Sequence, residues 1–68
     1  MTKAMSATYY DLLEVERHAT LDEIKRQYYR KIRIYTNEKH PEMFMELRRA
    51  YETLSEPSKR KNYDTDIF

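Results

Sequence analysis

The sequence predicts an all-α fold, because helix-start signals, one-sided apolar stripes and a lack of glycine occur together. Among the 68 residues glycine is absent and proline occurs twice, which disfavours tight hairpins and favours helices joined by short polar connections. Two long segments repeat apolar residues every three or four positions, as one face of a helix does. So short a chain holds at most one small core. We therefore expect a single domain over residues 8–68, after a flexible tail of residues 1–7.

The first helix is predicted from about Tyr9 to Glu14. Thr8, with Asp11 three residues later, matches the capping box that starts many helices. Tyr10 and Leu13 are one turn apart, so both are expected to face inward. A helix this short is stable only when it packs on other helices.

The second helix is predicted from Leu21 to Thr36. Thr20 and Glu23 form another capping box at its start. Its apolar stripe, with spacings of four, four and three residues, consists of Ile24, Tyr28, Ile32 and Tyr35. This one-sided stripe predicts a long helix that buries one face.

The third helix is predicted from Pro41 to Leu54, with Pro41 in the first turn, where its missing N–H does no harm. Its apolar stripe consists of Phe44, Leu47, Tyr51 and Leu54. The two stripes suit an antiparallel helical hairpin. A short fourth helix is expected to begin near Pro57 and to carry Tyr63 and, as a further candidate, Ile67.

Charge and composition disfavour several classes of function. The 13 basic and 12 acidic residues give a net charge of +1, so the whole protein does not steer toward nucleic acid or an anionic membrane. Cysteine is absent, and the only histidines, His18 and His40, have no second ligand at metal spacing. We expect no metal and no cofactor.

The sequence also gives no sign of an enzyme. No nucleophile motif occurs, and the chain is too short to enclose a substrate. No run of 18 apolar residues occurs, and the first seven residues lack the apolar core of a signal peptide. The expectation is a soluble, cytoplasmic binding module without a small-molecule substrate.

Four segments carry a family signal: residues 9–15 (YYDLLEV), 19–25 (ATLDEIK), 50–55 (AYETLS) and 59–64 (KRKNYD). In order and spacing they resemble the J-domain of DnaJ-like co-chaperones, and the resemblance covers Thr8 to Asp64. It implies a helical hairpin flanked by short helices, and a DnaK-type chaperone as partner. Glu14 stands where the family usually has glycine, which suggests that a backbone with negative φ replaces a left-handed one there.

The loop between the two long helices departs from the family pattern. In J-domains it carries a His-Pro-Asp triplet that triggers ATP hydrolysis in the chaperone. Here one register places Thr36, Asn37 and Glu38 at that position, and the other places Asn37, Glu38 and Lys39 there. Neither register yields the triplet, and the connection is several residues shorter than in the family. The resemblance therefore implies a domain without the usual trigger.

His40, Pro41 and Glu42 allow two interpretations. As a displaced triplet with Glu in place of Asp, they would lie about 5 to 6 Å along the axis from the usual position, a gap that the longer Glu side chain does not close. As a helix start, Pro41 occupies the first turn and Glu42 lies favourably at the positive end of the helix dipole. The sequence favours the helix start, and the displaced triplet stays as the alternative.

Arg26, Arg30 and Arg33 fall on the face of the second helix opposite its apolar stripe, with Lys25 at the flank. We call these four residues the basic stripe. A solvated helix face explains the pattern without any partner. In J-domains the corresponding face docks on an acidic chaperone surface, and arginine suits the pairing of carboxylates. Phosphate binding is a weaker alternative, because no nucleic-acid motif accompanies the stripe.

The function predicted from these features is a J-like interaction module that binds a DnaK-type chaperone, or another J-domain protein, without stimulating ATP hydrolysis. The first alternative is an active co-chaperone that works through His40, Pro41 and Glu42. A nucleic-acid-binding helical domain is a more distant alternative. Met43, Phe44 and Met45 at the hairpin tip form a further candidate patch for a partner.

Overall fold

The computed structural model describes residues 8–68, and these residues form four α-helices and no strand. The predicted tail of residues 1–7 lies outside the described residues. The helices, in chain order, are α1 (Tyr9–Leu13), α2 (Leu21–Ile34), α3 (Pro41–Leu54) and α4 (Pro57–Ile67). The all-α prediction is confirmed, and the predicted bounds of α3 agree with those observed.

Both predicted capping boxes are present. The Thr8 hydroxyl accepts a hydrogen bond from the backbone N–H of Asp11 at 3.2 Å, and the Asp11 carboxylate accepts one from the backbone N–H of Thr8 at 3.0 Å. Thr20 and Glu23 repeat this exchange at the start of α2, at 3.1 and 2.8 Å. Each box satisfies backbone donors that the first helical turn leaves unpaired, a contribution of about 1 kcal/mol per cap.

The helices α2 and α3 form the antiparallel hairpin, and α1 and α4 pack on it. Tyr28 and Tyr51 stack across the middle of the hairpin with ring centroids 4.2 Å apart. Near the connecting loop, Tyr35 meets His40 edge-on at 5.3 Å. The buried core consists of Tyr10, Leu13, Ala19, Ile24, Tyr28, Leu47, Ala50 and Leu54.

A polar network joins α1 to α4. The Tyr10 hydroxyl donates to the Asp64 carboxylate at 2.5 Å and accepts from Nε of Arg60 at 3.2 Å. The Tyr63 hydroxyl accepts from the backbone N–H of Tyr9 at 2.8 Å, and the two rings stack at 4.6 Å. Burial, and next the hydrogen bond to Asp64, raise the pKa of Tyr10, so its hydroxyl stays a donor. These contacts attach α1 to α4.

The helix α2 ends at Ile34, two residues before the predicted end at Thr36. The carbonyl of Thr36 accepts the backbone N–H of His40 at 2.7 Å, and its hydroxyl accepts the backbone N–H of Lys39 at 3.2 Å. The hydrogen bonds that Thr36 accepts therefore stabilise a turn at the point where α2 would otherwise continue.

Phe44 was expected in the core-facing stripe of α3, and this expectation is wrong. Met43 packs against the buried core instead, and Phe44 is half-buried outside that cluster. Met43 lies four residues before Leu47 and therefore directly below it on the face that meets α1. Ala50 is fully buried on the same face, and the apolar periodicity did not single it out because alanine is common at both buried and exposed positions.

Glu14 keeps the left-handed conformation, contrary to the expected negative φ. It has φ 57° and ψ 49°, and beyond it the backbone N–H of Val15 donates to the carbonyl of Tyr10 at 2.9 Å. This bond closes the end of α1 in a way that requires a left-handed residue. The Gln27 amide donates to the carbonyls of Leu13 and Glu14 at 3.3 Å each, so α2 also holds this turn in place.

Candidate functional site

The basic stripe lies on the exposed face of α2, as predicted. Lys25, Arg26, Arg30 and Arg33 are all exposed. Their positions follow from the register of the helix, because Ile24 and Tyr28 point into the core and turn the opposite face to solvent. The stripe is therefore accessible to a partner.

One residue of the stripe has an intramolecular partner. Nη2 of Arg26 lies 2.6 Å from the Asp22 carboxylate, one turn earlier on α2. Both side chains remain about three-quarters exposed, at 74% and 77%, so this pair contributes little and is easily exchanged for an intermolecular one. Within residues 8–68, no carboxylate lies within 4.0 Å of the charged groups of Lys25, Arg30 or Arg33. Most of the positive charge on this face is unneutralised.

Lys31 is a basic residue of α2 with a different role. Its ammonium group lies 2.6 Å from the Glu14 carboxylate, and only 14% of its side chain is exposed. Because the pair links α2 to the end of α1, Lys31 supports the fold rather than the exposed surface. Spacing alone does not distinguish Lys31 from the basic stripe, because Lys25 and Lys31 each lie three residues from Tyr28.

The loop between α2 and α3 is a compact turn. Thr36 is half-buried and accepts the two backbone hydrogen bonds that close the turn, from Lys39 and from His40. Asn37, Glu38 and Lys39 are exposed at its outer side. The turn thus presents an amide, a carboxylate and an ammonium group to solvent, and no imidazole at positions 36–39.

His40, Pro41 and Glu42 form the start of α3. Pro41 is the first residue of the helix, which confirms the helix-start prediction, and Glu42 lies exposed in the first turn. His40 occupies the N-cap position, its side chain makes no capping hydrogen bond, and its ring contacts Tyr35. The imidazole therefore lies beyond the turn, at the entrance to α3.

The predicted apolar patch at the hairpin tip is divided between two environments. Met43 turns inward and Phe44 is half-buried, whereas Met45 is 49% exposed. Consecutive helical residues point about 100° apart, so the three side chains cannot share one face. The patch is correspondingly smaller than the sequence suggested.

Two features are missing from residues 8–68. No group of three or more His, Cys, Asp or Glu side chains is arranged to bind a metal ion in this range. In the same range, no helix has the length and apolar character needed to cross a membrane.

Comparisons with known proteins agree with the fold and the motifs. The family model for the DnaJ domain matches residues 8–64. The chain is 49% identical over 69 residues to chaperone protein DnaJ of Synechococcus sp., covering 88% of this chain and 17% of that relative. It is 44% identical over 63 residues to chaperone protein DnaJ of Thermotoga petrophila, covering 82% of this chain and 17% of that relative. The chain thus spans about a sixth of the length of these relatives.

Proposed function

The chain belongs to the DnaJ domain family, and on that premise we propose that it binds a DnaK-type chaperone through the basic stripe without stimulating ATP hydrolysis. A second J-domain protein is the other partner that this proposal allows. The family is one of co-chaperone modules rather than enzymes. The module would accordingly recruit or compete for a chaperone rather than activate it.

The turn at the hairpin tip supports the part of this proposal that says the chain does not stimulate ATP hydrolysis. J-domains resemble one another in the His-Pro-Asp triplet of this loop, and positions 36–38 here are Thr, Asn and Glu. The Thr36 hydroxyl is already bonded to the backbone N–H of Lys39. No group at these positions offers both the ring and the titration behaviour of an imidazole. The trigger's chemistry is therefore absent from its usual place.

The unneutralised positive charge on α2 supports the part of this proposal that says the chain binds a DnaK-type chaperone. Lys25, Arg30 and Arg33 present three cations along one exposed face, and Arg26 adds a fourth through an easily exchanged pair. Such an array favours rapid encounter with an acidic surface and loses its advantage as salt rises. A partner with clustered carboxylates fits this surface best.

The test is single-turnover ATP hydrolysis by a DnaK-type chaperone with this chain added. We expect no acceleration, whereas a J-domain that carries His-Pro-Asp accelerates hydrolysis in the same assay. In a competition, excess chain should lower the stimulation by the active J-domain, because the two share a docking surface. Loss of competition with a folded chain would remove the chaperone as partner and leave the second J-domain protein.

The displaced triplet makes the opposite prediction. If His40, Pro41 and Glu42 act as a trigger, the chain accelerates hydrolysis and the His40→Gln variant does not. Lys39→Gln, at the neighbouring exposed position, is the matched control for a general change of charge or polarity in the turn. Stimulation that disappears only in His40→Gln would replace our proposal by the active co-chaperone.

A further inference from the structure

A groove at the base of the molecule takes no part in the proposed chaperone binding. Its volume is about 660 Å³, and it lies where α4 meets the α1–α2 loop and the turn between α3 and α4. None of the four residues of the basic stripe lines it. The lining that matters here consists of Arg17, Leu21, Leu54, Pro57, Lys61 and Phe68.

The walls of the groove are apolar. Leu21 is 51% exposed and Phe68 is 58% exposed, above a floor formed by Leu54, which is 1% exposed. The chain as a whole is strongly polar, with a mean hydropathy of −1.05. Large apolar side chains left open around one concave surface mark a place where an apolar group of a partner can be buried.

The rim of the groove is positively charged. The guanidinium carbon of Arg17 lies 3.8 Å from the centroid of the Phe68 ring, so the cation caps one apolar wall. Lys61, on α4, also lines the groove, and neither cation has a carboxylate within 4.0 Å in residues 8–68. Asp64, the one acidic residue that lines the groove, already accepts the Tyr10 hydroxyl. The open charges therefore favour an anionic ligand.

Arg60 holds the two sides of the groove together. Its Nη2 donates to the carbonyl of Arg17 at 3.0 Å and to the carbonyl of Ala19 at 2.8 Å, which fixes the α1–α2 loop against α4. The backbone at Arg17 is thus held against the helix that carries Lys61. Preorganisation lowers the ordering cost that a ligand would otherwise meet.

We propose that this groove binds an acidic peptide segment in which large apolar side chains are flanked by carboxylates. The apolar side chains lie between Leu21 and Phe68, and the carboxylates pair with Arg17 and Lys61. A small anion would leave the apolar walls uncovered, and a neutral or basic peptide would lack partners for the rim. The groove is a second binding surface, separate from the basic stripe.

The test measures fluorescence anisotropy of a short fluorescein-labelled peptide whose central phenylalanine and leucine have acidic residues on both sides. We expect saturable binding that weakens with salt. The same peptide with lysine in place of its acidic residues should not bind. Replacing the central pair by alanine should weaken binding, because the apolar walls then have nothing to bury.

Matched variants locate the site. The double variant Arg17→Gln with Lys61→Gln should bind the acidic peptide about tenfold more weakly, since two charge pairs are lost. The double variant Arg30→Gln with Arg33→Gln removes the same charge from the basic stripe and should bind normally. Circular dichroism melting curves establish that both variants are folded.

A second measurement keeps the proposal testable if the groove variant does not fold. In the unaltered protein, amide chemical shifts on peptide addition should change around Leu21 and Thr65 and remain constant in residues 29–38. Absence of binding, shifts confined to α2, or equal weakening by both double variants would overturn the proposal. Displacement of the peptide by sodium dodecanoate at comparable concentration would also overturn it, in favour of a fatty-acid ligand.

Discussion

The base of the molecule and the tip of its hairpin differ sharply in burial. At the base, where α1 and α4 meet the hairpin, lie the largest fully buried side chains, Leu13, Ile24, Leu47 and Leu54. At the tip, from residue 29 to residue 46, no residue is fully buried. The hydrophobic stabilisation of this domain is therefore concentrated at the base.

The polar contacts follow the same division. The base has the hydrogen bonds of Tyr10, Asp64 and Arg60, which join residues 50 or more positions apart in sequence. Within residues 29–46, the loop has the local turn bonds that Thr36 accepts, and Lys31 forms an ion pair with Glu14 at the end of α1. A change in the tip thus alters few contacts on which the fold depends.

The difference explains how the loop at the tip can tolerate substitution while the base keeps the family fold. Residues 9–15, 19–25, 50–55 and 59–64, which carry the resemblance, build the base. Residues 36–38 lie in the tip, where no residue is fully buried. Substitutions there change the chemistry shown to a partner at little cost in folding free energy.

The largest expected effect tests whether the base dominates stability. Leu47 is 1% exposed, so Leu47→Ala should cost about 2 to 5 kcal/mol, enough to unfold so small a domain. Met45→Ala, at a position 49% exposed, is the control and should change stability by less than about 0.5 kcal/mol. Thermal unfolding followed by circular dichroism measures both. Similar melting temperatures for the two variants would contradict the claim that hydrophobic stabilisation is concentrated at the base.

A smaller effect tests the polar network of the base. Tyr10→Phe keeps the ring and removes the hydroxyl that bonds to Asp64 and Arg60, which should cost about 1 to 2 kcal/mol. Tyr29→Phe removes a hydroxyl from an aromatic residue that is 47% exposed and should be nearly neutral. Urea denaturation measures the free energy of unfolding of the two variants. An equal, small effect at both positions would mean that the network does not stabilise the domain.

The left-handed residue at the end of α1 should give a still smaller difference in stability. Glu14→Gly relieves the cost of a left-handed conformation, whereas Glu14→Ala retains it, and both lose the ion pair with Lys31. We expect the glycine variant to be more stable than the alanine variant by about 1 kcal/mol. Denaturant midpoints of the two variants measure this difference. An alanine variant at least as stable as the glycine variant would show that the turn relaxes.

The smallest expected effect on stability, with a large one on binding, concerns the exposed face of α2. Arg26→Glu with Arg30→Glu should change the free energy of unfolding by about 0.5 kcal/mol or less, because both side chains are exposed. Affinity for a DnaK-type chaperone should fall, and its dependence on salt should decrease, because attraction is replaced by like-charge repulsion.

Binding and melting curves at low and moderate salt measure these two quantities. Lys59→Glu with Lys61→Glu, which reverses the same charge on α4, is the matched control and should leave chaperone affinity unchanged. Unchanged chaperone binding by a folded stripe variant would remove the stripe from the docking site.

Local signals in the sequence determined the helices and the exposed basic face. The capping boxes at Thr8 and Thr20, and Pro41 at the start of α3, act through neighbours three or four residues away. Periodicity placed Ile24 and Tyr28 on the inner face of α2, and Leu47 and Leu54 on the inner face of α3, because helix geometry alone relates the members of each pair. The absence of His-Pro-Asp from residues 36–39 is likewise read directly from residue identity.

Only the tertiary structure decided the features that depend on distant contacts. Met43 displaced Phe44 from the core because α1 lies on one side of α3, and no local pattern fixes that side. The left-handed Glu14 is held by α2, through Gln27 and Lys31. The groove beside α4 exists because Arg60 reaches the carbonyls of Arg17 and Ala19, across more than 40 residues of sequence. Spacing along a chain predicts which residues share a helix face, but the packing of the helices determines what each face meets.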